Sequence, residues 1–378
     1  MASRSFRLVS ISAALFLVTS AVNLQAPLYR AYASAAGFGN GVTALVFAAY
    51  VGGLLPTLLL FGGLSERVGR KPVILGGLSA AALATALVIM SPTLQALFVA
   101  RVLQGFGVGL SVGAGTAYLA EVIGGPSGAT WAAGYAAVTT SLGFGTGALF
   151  TGTLLLFGQT GRPLSYWLVL LLTLLCLGCV GLLPTQPARG GALLRLPWFP
   201  EKTLTSNVAI ALAWAVTGVV ISVLPSQLAQ RGLAGWSGHA LFLVNGTGAL
   251  LQPLVRRMES RRALRIGFAV LPLGYGLLLW GAATGSLALV LVGACVAGSA
   301  CYGFTYLGGL AQVSRAGGEQ RARAVAGYFL FAYLGFSLPS VVIGLLSGRF
   351  GLLGPLLVFG ALVTLGCAVL LKLSARPA

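Results

Sequence analysis

The sequence predicts an all-α membrane protein in which twelve transmembrane helices form two pseudo-symmetric six-helix bundles. Three observations lead to this fold class: the charge content, the apolar runs, and the placement of basic residues between those runs. Of the 378 residues, 57% are hydrophobic and only 7% are charged, whereas about 25% of a soluble domain is usually charged. So few charges cannot cover a surface exposed to water. The many aromatic and branched apolar residues also exclude disorder, so a soluble globular enzyme is ruled out.

Twelve runs are long and apolar enough to cross a bilayer, which takes about 20 residues of helix. Spans one to six are predicted at residues 8–29, 43–63, 73–91, 94–120, 129–156 and 164–184. Spans seven to twelve are predicted at residues 205–228, 238–255, 266–284, 286–311, 324–347 and 351–371. We therefore expect an N-terminal six-helix bundle in 1–184, a cytoplasmic linker in 185–204 and a C-terminal six-helix bundle in 205–378.

The first span has an alternative interpretation as a cleaved secretory signal, because Arg4 and Arg7 precede an apolar stretch within residues 1–26. The apolar segment continues to Tyr29, and eleven more spans follow it. We therefore interpret this segment as an uncleaved first span.

The basic residues support the count of twelve and set the orientation. With the N-terminus inside, the four outer cations are Arg30, Arg162, Arg231 and Arg349. The 18 inner cations are Arg4, Arg7, Arg67, Arg70, Lys71, Arg189, Arg195, Lys202, Arg256, Arg257, Arg261, Arg262, Arg265, Arg315, Arg321, Arg323, Lys372 and Arg376. Such asymmetry follows the positive-inside rule, so we expect both termini in the cytoplasm of a multi-pass protein of the cell inner membrane.

The two halves of the chain repeat each other. The triplet Ala-Gly-Tyr occurs at 133–135 and again at 326–328, an offset of 193 residues. Leu-Gly-Phe follows it at 142–144 and at 334–336, an offset of 192 residues. The copies fall in spans five and eleven, six spans apart, which indicates a duplication of the kind found in secondary transporters.

The loop after span two reads G-x-L-x-E-R-x-G-R-K-x-x-I from Gly62 to Ile74. Its residues form a tight turn that carries three cations and one carboxylate at the membrane surface. The pattern resembles the loop G-x-L-x-D-R-x-G-R-K-x-x-L of the major facilitator superfamily, from which it departs by Glu66 and Ile74. The resemblance implies a transporter that works by alternating access, with the loop acting as part of a cytoplasmic gate.

Span four carries two further elements of that family. Arg101, Gln104 and Gly105 are similar to its R-x-x-Q-G element, and Glu121 follows Tyr118 at the inner end of the span. The resemblance implies that this carboxylate pairs with cations of the loop after span two, although the Arg that often follows it in the family is missing. The gate residues expected on this basis are Gly62, Glu66, Arg67, Gly69, Arg70, Lys71 and Glu121.

Span five contains Gly143, Gly147 and Gly152 in a pattern that resembles the G-x-x-x-G-P-x-x-G-G stretch of exporters in this family. Ala148 and Thr151 replace the Pro and one Gly of that pattern. The alternative interpretation is ordinary packing of small residues between helices. We therefore assign the three glycines to helix packing and regard export as what the resemblance implies.

In this family, spans one, four, seven and ten line a central cavity, and the polar residues of those spans are candidate substrate contacts. A mixed aromatic and hydrogen-bonding lining suits an amphipathic organic molecule. The candidates are Asn23, Gln25, Tyr29, Arg101, Gln104, Trp214, Thr217, Tyr302, Thr305 and Tyr306, with Thr19, Asn207, Ser299 and Gln312 as additional polar positions.

Arg101 is the one cation predicted inside a span, and a charge there is costly and indicates a function. One interpretation is structural: Arg101 hydrogen-bonds Gln104, Asn23, Gln25 or backbone carbonyls and braces span four. The other is that it attracts a substrate anion or helps to relay a proton. None of the five Glu lies well inside a span, which argues against a simple proton antiporter. Proton coupling would then involve Glu66 and Glu121.

The sequence therefore predicts a transporter and not an enzyme, with export of an amphipathic drug-like compound or metabolite as the leading function. The alternatives are uptake of a small polar or anionic solute and, in another class, a non-transporting membrane sensor or scaffold. We expect a monomer in the lipid bilayer whose partners are a small-molecule substrate and protons as a candidate coupling ion. We expect no catalytic site, cofactor, metal or nucleic acid. Cys176 and Cys179 form C-x-x-C, which could suggest a redox or metal site. Because they lie within a span, we interpret them as small helix-packing residues.

Overall fold

The computed structural model describes residues 3–159, 161–188, 190, 193–194 and 196–375, and within these ranges all regular structure is helical. This confirms the predicted fold class. A helix satisfies every backbone hydrogen bond within one segment, which an apolar bilayer requires. Three of the cations assigned to the inner side, Arg189, Arg195 and Arg376, lie outside the described residues.

The first six spans lie close to their predicted positions. Span one comprises the helix Arg4–Asn23, the 3-10 turn Ala26–Leu28 and the helix Tyr29–Ala35. Pro27 sits in that turn, where its missing N–H interrupts the helical hydrogen bonds. Spans two to six are Asn40–Leu60, Arg70–Met90, Leu94–Ile123, Gly128–Leu156 and Leu164–Gly181, with the short helix Leu64–Arg67 in the loop after span two.

The second six spans follow the same plan. Span seven is Leu204–Ser222, continued by Leu224–Ala229, and a 3-10 turn Ala234–Trp236 precedes span eight. Spans eight, nine, eleven and twelve are Ser237–Val255, Ser260–Thr284, Arg321–Phe350 and Leu353–Ala375, with a 3-10 turn Gly318–Gln320 before span eleven. Span ten begins as the α-helix Leu287–Gly298, passes through a π-helix at Ser299–Thr305, and ends as the α-helix Tyr306–Ala316.

Ten of these spans are long and apolar enough to cross a membrane by length and composition alone. The other two are Gly128–Leu156, with 29 residues, and Ser237–Val255, with 19. Gly128–Leu156 contains six glycines and six threonines, and these small residues lower its hydropathy while allowing close contact with neighbouring helices.

The helices divide into two compact units. The first contains Met1–Gln25 and Ala49–Arg195, and the second contains Ala26–Ala48 and Leu196–Ala378. Within the second unit Ala44 packs on Gly344, where a Cβ atom added to Gly344 would lie 3.0 Å from the carbonyl oxygen of Asn40. The division into bundles at 185–204 follows from the duplicated spans and stays a prediction.

Candidate functional site

A buried polar cluster in the first unit joins spans one and four. Arg101 is completely buried, and Gln104 and Gln25 are almost as inaccessible. Arg101 Nη1 donates to the carbonyl oxygen of Val22 at 2.6 Å and to Gln104 Oε1 at 3.2 Å. We call Arg101, Gln104 and Gln25 the Arg101 cluster.

The two glutamines of the Arg101 cluster extend the connection to span one. Gln25 Nε2 donates to Gln104 Oε1 at 2.8 Å and to the carbonyl oxygen of Val22 at 3.0 Å. Gln104 Nε2 donates to the carbonyl oxygen of Ala21 at 2.9 Å. The Arg101 cluster therefore donates hydrogen bonds to two consecutive backbone carbonyls of span one, and its side chains also hydrogen-bond one another.

These carbonyls belong to the last turn of the helix Arg4–Asn23. The last four carbonyls of a helix lack partners within the helix, and the end of the helix carries a partial negative charge. Arg101 and Gln104 supply donors to this end, and the guanidinium supplies a positive charge. The helix terminus therefore offsets part of the charge of this buried guanidinium.

Aromatic and glycine residues complete the surroundings of Arg101. Its guanidinium carbon lies 4.8 Å from the centroid of the Tyr50 ring, within cation–π range. Gly105 allows span two to approach span four, because a Cβ atom there would overlap the carbonyl oxygen of Tyr50. The Arg and Gln of the R-x-x-Q-G element in span four thus contact span one, and its Gly contacts span two.

The other polar candidates of span one have separate positions. Asn23 Nδ2 donates to the carbonyl oxygen of Phe144 in span five at 2.9 Å, and Asn23 is buried. Thr19 Oγ1 donates to the carbonyl oxygen of Leu15 in its own helix at 2.8 Å. Tyr29 is buried within the second unit. Asn23 therefore links spans one and five through a side-chain hydrogen bond.

The three packing glycines lie in the first unit as well. Added Cβ atoms at Gly143 and Gly147 would overlap Thr19 Oγ1 and the carbonyl oxygen of Ser20, respectively. These two glycines therefore let spans one and five meet backbone to backbone. Gly152 is buried on the same helix, next to Thr151, whose hydroxyl lies 2.8 Å from that of Ser165 in span six.

The loop after span two forms an ion pair with the end of span four. Arg70 Nε lies 3.5 Å from Glu121 Oε1, with side chains that are 12% and 22% exposed. Arg70 Nη1 also donates to Ser65 Oγ at 2.7 Å. Glu66, half-buried, and Arg67, exposed, lie in the short helix Leu64–Arg67 just before it.

The remaining residues of this loop secure the backbone. Lys71 Nζ donates to the carbonyl oxygens of Gly181 and Leu183 at 2.6 and 2.7 Å, at the end of span six. Gly69 has φ of 91°, a conformation that favours glycine. Gly62 is half-buried in the preceding turn. The loop is therefore anchored to both span four and span six.

In the second unit, Trp214 of span seven is the centre of an aromatic cluster. Its ring centroid lies 5.8 Å from that of Tyr302, 6.4 Å from Tyr306 and 5.0 Å from Tyr333. The distances to Phe329 and Phe336 are 6.3 and 6.1 Å. We call these six residues the Trp214 cluster.

The Trp214 cluster keeps part of its surface accessible. Tyr306, Phe329 and Tyr333 are half-buried, while Trp214 is 7% exposed. Trp214 Nε1 is buried, and among the described residues it has no hydrogen-bond partner. A buried indole N–H usually has an acceptor, so this arrangement suits a ligand that brings one.

The π-helix of span ten positions two of the candidate residues. Tyr302 and Thr305 both lie in Ser299–Thr305, and Tyr302 packs on Gly248 of span eight. Cys301, in the same segment, contacts the carbonyl oxygen of Ala213 in span seven at 3.0 Å. Short π-helical segments often mark functional positions.

The remaining polar candidates of the second unit make hydrogen bonds within and between the helices. Thr217 is buried and donates to the carbonyl oxygen of Ala213 at 3.4 Å. Ser206 Oγ donates to Gln312 Oε1 at 2.7 Å, which joins spans seven and ten. Asn207 Nδ2 donates to Thr203 Oγ1 at 3.4 Å, and Ser299 Oγ donates within its own helix.

Sequence reasoning did not single out four aromatic residues that contact Arg101 or belong to the Trp214 cluster. Tyr50 stacks against Arg101 from span two. Phe329, Tyr333 and Phe336 come from span eleven, which the family resemblance did not include in the cavity. Their spacing of four and three residues places them on one face of a helix, so the pattern could have indicated an aromatic face on span eleven but not the neighbour that this face meets.

Comparison with known proteins places the chain in a family. The sequence profile of the Major Facilitator Superfamily matches residues 11–338. The multidrug resistance protein MdtL of Shewanella oneidensis is 34% identical over 91 residues, which are 24% of this chain and 23% of that protein. Multidrug resistance protein D of Escherichia coli is 39% identical over 71 residues, 19% of this chain and 18% of that protein. The chain therefore aligns with about a fifth to a quarter of these relatives.

Solved structures extend the similarity to the whole fold. The nucleoside transporter NupG has a TM-score of 0.74 at 13% identity, covering 98% of this chain and 100% of the other. The human organic anion transporter MFSD10 has a TM-score of 0.66 at 18% identity, covering 98% and 100%. A structure of a proton-dependent oligopeptide transporter has a TM-score of 0.72 at 15% identity, covering 98% and 97%.

At such identities these structures establish the fold alone, with twelve helices in two bundles. The family model matches most of the chain, and the spanning helices are those of a multi-pass membrane protein. The chain belongs to the Major Facilitator Superfamily.

Proposed function

We propose that this chain is a secondary active transporter that exports an amphipathic drug-like compound or metabolite by alternating access. The Trp214 cluster carries the proposal. It offers aromatic faces from spans seven, ten and eleven, together with tyrosine hydroxyls and the buried indole N–H of Trp214. Each aromatic pair formed with a ligand contributes about 0.5–1.5 kcal/mol beyond the burial of apolar area. This combination suits a ligand with an aromatic part and at least one hydrogen-bond acceptor.

The relatives support export. The two curated proteins that align with part of the chain are described as multidrug resistance proteins. The non-transporting sensor or scaffold receives no comparable support, because every relative and structural neighbour named above is a resistance protein or a transporter.

Arg101 is proposed as a structural brace. Its guanidinium donates hydrogen bonds to the carbonyl oxygen of Val22 and to Gln104 Oε1, both within the protein. The second candidate function, uptake of a small polar or anionic solute, rests on the same residue, because a fully buried cation favours an anion nearby. The two functions therefore differ in what the removal of Arg101 does to substrates of different charge.

The loop after span two is proposed as a gate on the cytoplasmic side, with both termini on that side. Its supports are the ion pair between Arg70 and Glu121 and the excess of cations assigned to the inner segments. If transport is coupled to protons, Glu66 and Glu121 are the proposed carriers in this unit. We propose a monomer as the working form.

A susceptibility and accumulation screen tests export. Cells with and without the chain are compared for growth in amphipathic compounds and for retention of fluorescent ones. The binding variant is Trp214→Ala, and the matched control is Trp280→Ala, since Trp280 is 67% exposed and lies outside the Trp214 cluster.

If the chain exports the compounds, cells that express the wild type or Trp280→Ala should retain less of them than cells without the chain. Cells that express Trp214→Ala should retain as much as cells without the chain. Higher accumulation in cells that express the wild type would instead support uptake. Equal effects of the two tryptophan variants would contradict the binding role of the Trp214 cluster.

A further inference from the structure

The second unit contains an apolar groove that the proposed transport function does not use. It has a volume of about 840 Å³, and all of its lining residues are apolar and come from spans seven, eleven and twelve. We call this feature the span-twelve groove. Trp214 and the rest of its cluster are not among the lining residues, so the groove is distinct from the proposed substrate surface.

Helix packing explains the shape of the span-twelve groove. Its floor forms where spans seven and eleven touch, because a Cβ atom added to Gly335 would overlap the backbone of Ala211. Towards one end, span twelve meets span seven, with Gly366 against the side chain of Leu212. Towards the other end, the chain turns at Gly351, which has φ of 69°, and Gly354 faces open space.

The groove is apolar along its length and is longer than one acyl chain, which spans about half of the hydrocarbon core of a bilayer. It includes Phe331 and Phe350, which are 19 positions apart on span eleven, a rise of about 28 Å. The hydrocarbon core of a bilayer is about 30 Å thick. A cavity with only apolar walls does not hold ordered water, so a polar solute would lose its hydration there without compensation.

A cation marks the open end of the groove. Arg349 is exposed, and its guanidinium carbon lies 5.7 Å from the ring centroid of Phe350, which lines the groove. A guanidinium binds phosphate through two parallel hydrogen bonds. Apolar walls with a cation at one end are complementary to a molecule that has a hydrocarbon chain and an anionic head.

We propose that the span-twelve groove binds one glycerophospholipid of the bilayer, with an acyl chain along the groove and the phosphate at Arg349. The bilayer supplies this ligand at a far higher concentration than any transported compound. The bound lipid occupies part of the space between span twelve and the pair of spans seven and eleven. It would therefore remain with the protein when the surrounding lipids are exchanged for detergent.

The test is native mass spectrometry of the purified full-length chain with dipalmitoyl phosphatidylglycerol as the probe. Arg349→Gln removes the phosphate contact, and Val358→Trp places a large side chain in the groove. Arg231→Gln and Val369→Trp are the matched controls, since both residues are exposed in the same unit and neither lines the groove.

We expect one tightly retained lipid in the wild type and both controls, and about tenfold weaker retention in each groove variant, equivalent to about 1.4 kcal/mol. Arg349→Gln changes only an exposed side chain, so it keeps the test decisive if Val358→Trp fails to fold. Equal retention in Arg349→Gln and the wild type would overturn the proposal. It would also be overturned if Val358→Trp converted a dimer to a monomer without changing lipid retention, because a second copy of the chain would then occupy the groove.

Discussion

Replacement of Arg101 by Gln is the most informative perturbation of this protein, because it removes a fully buried charge that joins spans one and four. Arg101 Nη1 holds the carbonyl oxygen of Val22 at 2.6 Å and Gln104 Oε1 at 3.2 Å. Hydrogen bonds from a charged donor contribute about 1.5–3 kcal/mol each, so the two together stabilise by about 3–6 kcal/mol. Placing the guanidinium in a span costs about 2.5–3.5 kcal/mol. The difference between these two ranges gives an expected net loss of stability for Arg101→Gln of about 0–3 kcal/mol.

The structural role predicts how transport responds. Gln keeps a hydrogen-bond donor at position 101, so we expect a lower melting temperature and retention of much of the transport. Arg101→Lys should rescue poorly, because Lys keeps the charge but lacks the planar guanidinium that reaches two acceptors. Arg162→Gln is the control, since Arg162 is an exposed residue of the same unit.

The assay combines thermal unfolding of the purified variants with binding of matched neutral and anionic compounds. A brace predicts a loss of stability and equal changes in binding for both compounds. A selective loss of the anionic compound, with unchanged thermal stability, would refute the reasoning and favour the anion-binding role of Arg101.

Three further predictions concern orientation, packing and the gate. A cysteine placed at Arg162 should react with an impermeant reagent from outside intact cells, whereas one at Arg261 should not; external labelling at Arg261 would reject the orientation. Gly147→Ala should destabilise by about 1–3 kcal/mol through overpacking, because its Cβ would overlap the carbonyl oxygen of Ser20. Gly178→Ala, whose Cβ meets nothing within 4 Å, should change the melting temperature little, and equal shifts would contradict the assigned packing. Glu121→Gln should slow turnover with little change in substrate affinity, because it leaves the paired arginine without its carboxylate; wild-type turnover would contradict the gate.

The positions of the helices could be predicted well, while the contacts of individual side chains could not. The motif from Gly62 to Ile74 located the loop after span two. The structure shows an ion pair between Arg70 of this loop and Glu121, which is far from it in the chain. From the sequence, several side chains and backbone carbonyls were candidate acceptors for Arg101, and nothing in the sequence distinguished among them. The choice depends on where the helix of span one ends, and hydropathy locates helix ends only to within several residues.

The aromatic residues illustrate the same limit. Trp214, Tyr302 and Tyr306 were found because the family resemblance pointed to spans seven and ten, but Phe329 and Tyr333 of span eleven were not. A residue's place on a helix face can be calculated from its number, yet the neighbour that this face meets depends on the rotation of both helices. Periodicity carries no information about that rotation in a helix that is apolar on all sides.

The sequence by itself determined the membrane class, the twelve spans and the family, because these depend on local composition and on motifs that are contiguous in the chain. The tertiary structure alone decided that Arg101 and Gln104 meet the carbonyls of Val22 and Ala21. It also assembled the Trp214 cluster from spans seven, ten and eleven, and left the span-twelve groove between spans seven, eleven and twelve. The physical reason is that helix crossings in an apolar medium are set by close packing of small residues, and the outcome depends on pairs of surfaces rather than on either helix alone.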